Sequence, residues 1–310
     1  MLPIDPTASR SPYSAVADPQ HATTMTDSQS AIFVVGAQGT VGHRLVTRLT
    51  DRGQVVRAGT RTPDDYDGPS GAEAVRFDYL DADTWAPALR DADRAFVLAP
   101  PDTAAYAQLP SFLETAPDAG VERTVLMTAM GVDQAPDEMP LRRTELTLMD
   151  GPLDATILRP NWFMQNFLTF WRGMIEADGV MRLPAGDAAT SFVDAGDIAA
   201  VAEAALLDAD HAGEAYTLTG PEAHTYHEAA EILSDAWGRD VRYEPVNDEE
   251  AFEILTTAGL DEDYAEMLIG LFQNVQTGHA ARVTETVEAV TGRVPRSLAE
   301  FAEAAADAWS

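Results

Sequence analysis

The stretch VVGAQGTVGHRL, residues 34–45, carries the first set of residues that could bind a ligand. Gly36, Gly39 and Gly42 lie three apart, an apolar run precedes them, and a stretch with helical periodicity follows. A strand, a glycine turn and a helix bind phosphate because the first helical N–H groups lack partners and the helix dipole favours negative charge there. Further donors around a pyrophosphate are expected from Gln38, Thr40 and Val41.

Each glycine of this turn has its own expected purpose. Gly36 turns the chain at the strand end, Gly39 admits the pyrophosphate, and Gly42 lets the helix pack close to the sheet. The alternative is a tight turn without a ligand. The strand before the turn and the helix after it favour a dinucleotide site.

The end of the second predicted strand indicates which dinucleotide would bind. An acidic residue there holds the ribose 2′-OH of NAD, whereas a basic one suits the 2′-phosphate of NADP. In this sequence Arg61 follows Gly59 and Thr60, and no carboxylate appears until Asp64. Arginine pairs bidentately with phosphate, so the sequence predicts NADP(H) in preference to NAD(H). The alternative is that Arg61 is a solvated loop residue.

Residues at the ends of the next three predicted strands complete the expected cofactor cleft. Asp78 can accept from the adenine amino group and Tyr79 can flank the adenine ring, although Asp78 is equally suited to capping the following helix. The backbone of Ala99 and Pro100 is expected to pass beneath the cofactor. Thr128, at the end of the fifth predicted strand, is expected next to the nicotinamide.

A parallel sheet is needed to bring these residues to one edge. Short apolar runs predict its strands, at Ala31–Val35, Val55–Gly59, Ala74–Phe77, Arg94–Ala99, Arg123–Thr128 and Ala155–Leu158. Helical periodicity predicts the intervening helices, at Thr40–Arg52, Ala82–Arg90, Thr103–Ala119 and Pro140–Asp150. This βαβ order predicts an α/β protein with a Rossmann-type, doubly wound parallel sheet.

The chain divides into three parts by pattern. Residues 1–28 are rich in Pro, Ser, Thr, Ala and Asp without periodicity, and we expect a disordered extension there, with Met25 as an alternative start that would leave residues 1–24 out of the native protein. Residues 29–160 form the expected NAD(P)-binding domain. Residues 161–310 hold the remaining Rossmann elements, with further strands expected at 191–193, 214–219 and 241–245, and a smaller, mostly helical substrate lobe.

Charge and cysteine content exclude several classes of function. The 310 residues carry a formal net charge of −31, and all 20 basic residues are arginine. Such acidity argues against nucleic acid and anionic membranes as partners. It is typical of a solvated acidic shell in a cytosol of very high salt, where ions screen the self-repulsion. Because the chain has no cysteine, disulfides, thiol nucleophiles and cysteine-bound zinc are excluded.

Other signals are notable for being missing. The six histidines show no metal-binding spacing, so no metal site is predicted. No apolar run is as long as a membrane span, and the N-terminus lacks the apolar core of a signal peptide. We therefore expect a cytoplasmic protein. The sequence is compatible with a monomer or a homodimer.

Several motifs together resemble those of a known family. They are VVGAQGTVG, the arginine after the second strand, LMTAMGV, TILRPNWFMQNF, SFVDAGDIA and AYTLTGPEA. From about residue 31 to the C-terminus the chain resembles the NmrA-like, atypical branch of the short-chain dehydrogenase/reductases. It is most similar there to NAD(P)H-dependent quinone oxidoreductases and the related azoreductase-type proteins. The resemblance implies hydride transfer between a nicotinamide cofactor and a small acceptor.

The same resemblance implies a substrate wall in the segment NWFMQNF. Pro160, before this segment, would border the nicotinamide, and Asn161 would donate to a developing oxyanion. A flat apolar wall for an aromatic acceptor would come from Trp162, Phe163, Met164 and Phe167. The alternative for each apolar side chain is a place in the core at helical spacing.

One departure from the wider superfamily bears on the mechanism. The active dehydrogenases of the wider superfamily use a Tyr-x-x-x-Lys pair, in which the lysine lowers the tyrosine pKa so that the tyrosine can donate a proton. This chain has no lysine and no tyrosine between Tyr106 and Tyr216. Arg143, on the corresponding helix, is expected to orient the cofactor, but arginine is a poor general acid. Thr128 and Asn161 are the remaining catalytic candidates.

Two functions are compatible with this departure. In the first, the protein transfers a hydride from NADPH to a quinone-like or other small aromatic acceptor. A quinone then gives a delocalised phenolate that solvent can protonate, and catalysis depends on holding the two rings face to face. In the second, the protein is a non-catalytic redox sensor that binds the dinucleotide, as its resemblance to NmrA-type regulators implies.

Overall fold

The computed structural model describes residues 30–100 and 102–309. The predicted disordered extension and the alternative start at Met25 lie outside the described residues. The strands are β1 (Ala31–Val35), β2 (Val56–Thr60), β3 (Ala72–Arg76), β4 (Ala92–Leu98), β5 (Arg123–Met127), β6 (Asp154–Pro160), β7 (Val180–Leu183), β8 (Ala189–Thr190), β9 (Ala215–Leu218), β10 (His224–Thr225) and β11 (Arg242–Pro245).

The helices alternate with these strands in the first half of the chain and predominate in the second. They are α1 (Gly42–Asp51), α2 (Trp85–Leu89), α3 (Thr103–Tyr106), α4 (Leu109–Thr115), α5 (Pro140–Met149), α6 (Arg172–Asp178), α7 (Ala195–Leu207), α8 (Tyr226–Trp237), α9 (Asp248–Thr257), α10 (Glu262–Gln276), α11 (Thr286–Thr291) and α12 (Leu298–Ala304). No helix within the described ranges has the length and apolar character needed to span a bilayer.

Seven of the described strands form one parallel sheet in the order β3-β2-β1-β4-β5-β6-β9. The strand order reverses between β1 and β4, which is where a doubly wound sheet opens a crevice for a ligand. All carboxyl ends lie at the same edge, so the segments after β1, β2, β4, β5 and β6 converge there. The predicted α/β Rossmann-type fold is confirmed.

Burial explains why the sheet forms in this way. Every residue of β1 and β2 is buried, as expected for strands covered by helices on both faces. On one face α1 buries Leu45, Val46 and Leu49, whose spacing places them on one side of the helix. The alanine-rich α7 packs beside α1 in the same layer. The helix that opens at the glycine turn is therefore fixed to the sheet.

Two predicted elements differ in the structure. The predicted helix over residues 103–119 is divided into α3, α4 and a short 3₁₀ turn at Pro117–Ala119, because Pro110 and Pro117 lack the N–H group that a continuous helix requires. The predicted strand over 191–193 is not a ladder strand. Val193 makes an isolated bridge to Phe163, and the amide of Ser191 donates to the carbonyl of Ala280.

The chain after β6 contributes to two layers. Helix α7 and strand β9 complete the main sheet layer, as described above. The remaining segments surround a separate aromatic cluster that includes Trp171, Tyr226 and Phe272. Two small sheets border this cluster, β7 with β11 and β8 with β10. These segments form the smaller lobe.

Candidate dinucleotide and acceptor site

The glycine turn has the geometry of a phosphate cradle. Gly36 has a φ of +66°, which favours glycine, and a Cβ atom on Gly42 would lie 2.1 Å from the Gly36 carbonyl oxygen. The Gly39 amide donates to that same carbonyl at 2.8 Å. Val41, which precedes α1, provides no side-chain cap; in the first turn the His43 amide donates to the Gly39 carbonyl at 3.0 Å, whereas the Gly42 and Arg44 amides are available to a ligand. The residues present therefore fit a dinucleotide pyrophosphate.

The predicted donors of this turn are not equivalent. The Gln38 side chain lies over the end of β2, where Oε1 accepts from the Thr60 hydroxyl at 2.6 Å and Nε2 approaches the Asp65 carbonyl at 3.4 Å. It is therefore engaged away from the turn, which leaves the Gln38 backbone amide as the donor. The Thr40 carbonyl accepts from Arg44 at 2.6 Å, and Val41 is buried.

Arg61 is the first residue after β2 and is exposed to solvent. Within the described chain its guanidinium makes no ion pair and no hydrogen bond. Asp64, the nearest following carboxylate, is in a short 3₁₀ turn and is also exposed. The side chain of Arg61 is thus free to meet a phosphate at this end of the crevice.

The two residues after β3 do not behave as an adenine clamp. The Tyr79 ring is buried and packs edge-on against Phe77 and Phe112, with centroids 4.9 and 5.6 Å away. Its hydroxyl donates to the Leu98 carbonyl at 2.9 Å, and burial raises the Tyr79 pKa. The prediction that Tyr79 flanks adenine is wrong, because the ring is part of the core and ties the ends of β3 and β4 together.

Asp78 is half-buried, and its function remains a prediction. One carboxylate oxygen accepts the Leu80 amide at 3.0 Å, which forms a local turn and does not cap the helix after Asp81. On the far side of the crevice, Ala99 and Pro100 follow β4 and are half-buried. Their predicted place beneath the cofactor stays a prediction.

Thr128 follows β5 and lies beside an unexpected group of charges. Its Oγ1 donates to Oε1 of Glu145 at 2.7 Å, and Glu145 is 1% exposed. Arg159, on β6, donates to both carboxylate oxygens, with Nε 3.0 Å from Oε1 and Nη2 2.6 Å from Oε2. Arg142 adds a contact of 3.3 Å to Oε2. A buried carboxylate on α5 is thus held by two guanidiniums.

Arg143 does not take part in this group. It is exposed on α5, whereas its neighbour Arg142 is turned inward to Glu145. Adjacent residues on a helix differ by about 100° in direction, so one of the two faces solvent. Arg143 is therefore not a partner of Glu145, and its predicted role in orienting the cofactor stays a prediction.

Asn161 also differs from its predicted use. Its Nδ2 donates to the Ser191 hydroxyl at 2.8 Å and to the Ala280 carbonyl at 2.8 Å, inside the protein. These donors are therefore not available to a developing oxyanion, and that prediction is wrong. Pro160, just before it, is buried at the end of β6, and its carbonyl accepts the Met130 amide at 2.9 Å. Asn161 and Pro160 fix the loops around the crevice.

The predicted apolar wall is smaller than the sequence suggested. Met164 and Phe167 are 1% and 0% exposed, so both belong to the core and cannot line an open wall. Trp162 is half-buried and stacks on Phe272 of α10, with ring centroids 4.7 Å apart. Phe163 is also half-buried. The wall available to an acceptor reduces to Trp162 and Phe163.

No tyrosine in the described chain has the lowered pKa that a Tyr-Lys pair would give. Burial raises the pKa of each of them, which are Tyr66, Tyr79, Tyr106, Tyr216, Tyr226, Tyr243 and Tyr264. The part of the chain that the structure describes also has no group of three or more histidine or carboxylate side chains that could hold a metal ion. The candidate site therefore combines the glycine turn, an arginine without a partner in the described chain, and an edge at which the predicted proton donors are engaged within the protein.

The fold and this edge define a dinucleotide-binding α/β protein. Comparison with protein families agrees, since residues 36–209, more than half of the chain, match an NAD(P)H-binding family, and residues 145–303 match the NmrA-like family. The chain belongs to the NmrA-like family of NAD(P)H-dependent oxidoreductases.

Individual relatives cover almost the whole chain. It is 37% identical over 286 residues to an uncharacterised oxidoreductase, YesF, of Bacillus subtilis, which covers 91% of this chain and 97% of the relative. It is 33% identical over 285 residues to an NAD(P)H azoreductase of Xenophilus azovorans, and the match covers 90% of this chain and 99% of the azoreductase. An Escherichia coli quinone oxidoreductase solved with NADPH matches this structure with a TM-score of 0.77 at 24% identity. The match covers 88% of this chain and 99% of the oxidoreductase, and it supports the fold alone.

Proposed function

We propose that this protein transfers a hydride from NADPH to a quinone-like or other small aromatic acceptor without a Tyr-Lys pair. The observation that carries the proposal is that the candidate proton donors are already engaged at the end of the crevice where we expect the nicotinamide. The Thr128 hydroxyl donates its hydrogen bond to the buried Glu145, and Asn161 uses its amide donors inside the protein. An acceptor that depends on an enzyme acid, such as a simple ketone, is poorly served there.

The choice of NADPH is supported by the opposite end of the crevice. The glycine turn presents uncapped N–H groups, and Arg61 stands free beside it. A guanidinium matches the 2′-phosphate in both charge and geometry. NADPH, when bound, supplies the hydride, while the chain orients it and its acceptor.

An aromatic acceptor is supported by Trp162. Its ring is half-buried and held by stacking on Phe272, so it offers a fixed apolar face with little cost in side-chain entropy. A quinone that stacks against this face needs no proton from the protein, because its reduced form is a stabilised anion. The names of the azoreductase relative and of the quinone oxidoreductase structure favour the same chemical class.

The direct test is steady-state oxidation of NADPH with menadione or a benzoquinone. We expect turnover with quinones and little with simple ketones. Trp162→Leu should raise KM for the quinone and leave the Kd for NADPH unchanged. Trp309→Leu is the matched control, because Trp309 stacks on Trp237 in the C-terminal segment at 4.6 Å.

The non-catalytic sensor is the competing outcome of the same experiment. A nicotinamide end without a proton donor also suits a protein that binds the dinucleotide and does not turn it over. Tight NADPH binding with no turnover of any quinone would overturn the proposal in favour of the sensor.

A further inference from the structure

The proposed function uses the buried carboxylate of Glu145 only as the group that accepts from Thr128. The two oxygens of this carboxylate accept hydrogen bonds from the Thr128 hydroxyl, from Nε and Nη2 of Arg159 and from Nη1 of Arg142, at 2.6–3.3 Å. A buried carboxylate is costly unless it is fully paired, as this one is. Every contact runs from a donor to Glu145, so its oxygens act as acceptors only.

This arrangement fixes the direction of the Thr128 hydroxyl. A threonine hydroxyl has a single proton to donate and two lone pairs with which to accept. Its neighbours in the protein are Oε1 of Glu145 at 2.7 Å and the Leu158 carbonyl at 3.4 Å, both of which are acceptors. The proton is therefore directed inward, and only lone pairs are left for a ligand.

We propose that Glu145 is a positioning residue, which holds the Thr128 proton so that Thr128 accepts a hydrogen bond from the carboxamide NH₂ of the nicotinamide. The inference rests on the proposed function, because it takes NADPH as the ligand. Thr128 follows β5 on the β4–β6 side of the switch point, opposite the side where Arg61 follows β2. A nicotinamide in that half of the crevice meets a hydroxyl that can only accept.

Replacing Glu145 by glutamine should reverse this direction. Glutamine keeps one acceptor oxygen at the position of Oε2, which lies within 3.2 Å of Nε and 2.6 Å of Nη2 of Arg159, and turns an NH₂ group toward Thr128. Thr128 would then accept from the protein and direct its own proton toward the ligand. Two donors, the hydroxyl and the carboxamide NH₂, would face each other.

The test compares the Kd of NADPH with the Kd of its 3-acetylpyridine analogue, in which a methyl group replaces the carboxamide NH₂. We expect the wild-type protein to prefer NADPH by about tenfold, as one well-made hydrogen bond would give. Thr128→Val should bring the ratio close to one, Glu145→Gln should bring it to one or below, and Thr128→Ser should keep it. Because the ratio is internal to each variant, a general loss of stability cancels.

A matched control lies on the same strand. Thr124 is fully buried, and its hydroxyl lacks a partner among the described residues, so Thr124→Val should leave the ratio unchanged. An unchanged preference in Thr128→Val would overturn the inference, whether or not Glu145→Gln folds. Absence of NADPH binding in the wild type would instead contradict the proposed function, so the two failures are distinct.

Discussion

Gln38 and Thr60 join the glycine turn to the end of β2 through a hydrogen bond of 2.6 Å between Oε1 and Oγ1. The same hydroxyl also accepts the Thr62 amide at 3.2 Å, which brackets Arg61 between two anchored residues. The backbone at Arg61 is thus held beside the phosphate cradle, although its side chain is free. Such a preorganised position lowers the entropic cost of binding.

Replacing Arg61 by alanine should change the choice between cofactors. We expect the ratio of NADPH to NADH affinity to fall about 10- to 100-fold, equivalent to the ~1.5–3 kcal/mol of a hydrogen bond to a charged group. Titration of each cofactor measures this ratio. Arg90→Ala, at an exposed arginine before the opposite, amino end of β4, is the control. An unchanged ratio would mean that Arg61 is only a solvated loop residue.

Substitution of Gly42 by alanine should damage both stability and cofactor binding. The added Cβ would overlap the Gly36 carbonyl, at 2.1 Å, and force the turn and α1 apart. Overpacking of this kind costs about 1–3 kcal/mol or more. Thermal unfolding and NADPH titration would measure the two losses.

Gly173→Ala is the matched control for this substitution. Gly173 lies in α6, and a Cβ there would meet nothing within 4 Å, so alanine should be neutral or stabilise by about 0.5–1 kcal/mol. If Gly42→Ala behaved like Gly173→Ala, the close contact between the turn and the helix would not exist in solution.

Local patterns in the sequence were sufficient for the sheet and for the glycine turn. Strand β1 reads as five consecutive apolar residues, and the structure has it at the predicted bounds. The position of Arg61 follows from the same logic, since a residue after a parallel strand must reach the ligand edge. These inferences need no knowledge of contacts between distant segments.

Side-chain direction could not be predicted in this way. Phe167 and Trp162 share a segment, but contacts with distant segments bury the first and leave the second partly open. Glu145, in a helix with charged neighbours, resembles a solvated residue in the sequence. Its burial depends on Arg159, 14 positions away. The strand pattern of β6 alone does not show whether Arg159 is buried or exposed. The only local signal was a charged residue within an apolar strand.

The carboxyl group of Asp197 should give the stability an unusual dependence on pH. Burial is the main factor that raises its pKa, and the charge of Asp194 adds to this, while the Arg296 amide and nearby guanidiniums oppose it. Because the folded state binds the Asp197 proton more tightly than the unfolded state does, protonated Asp197 stabilises the fold below the unfolded pKa of about 4. This stabilisation is lost as the pH rises through the folded pKa.

Asp197→Asn should remove this loss, because asparagine can still accept the Arg296 amide through its oxygen. Compared with the wild type, the variant should gain free energy of unfolding as the pH rises above about 4. Urea unfolding between acidic and neutral pH measures the difference. Asp118→Asn, at an exposed carboxylate, is the control. Parallel curves for Asp197→Asn and the wild type would contradict the expectation.

Salt should stabilise the fold strongly, because the net charge of −31 repels itself in dilute buffer. Acidic residues cluster even within single turns, as in Asp248, Glu249 and Glu250 at the start of α9. At about 1 M salt the Debye length is only about 3 Å, so this surface repulsion is screened. The buried pair of Glu145 and Arg159 is much less affected, and Tm should therefore rise from dilute buffer to molar potassium chloride.

Potassium sulfate at equal ionic strength separates screening from the general stabilisation of apolar burial by sulfate. A Tm that rises only in sulfate, or in neither salt, would show that surface repulsion does not limit the stability of this fold.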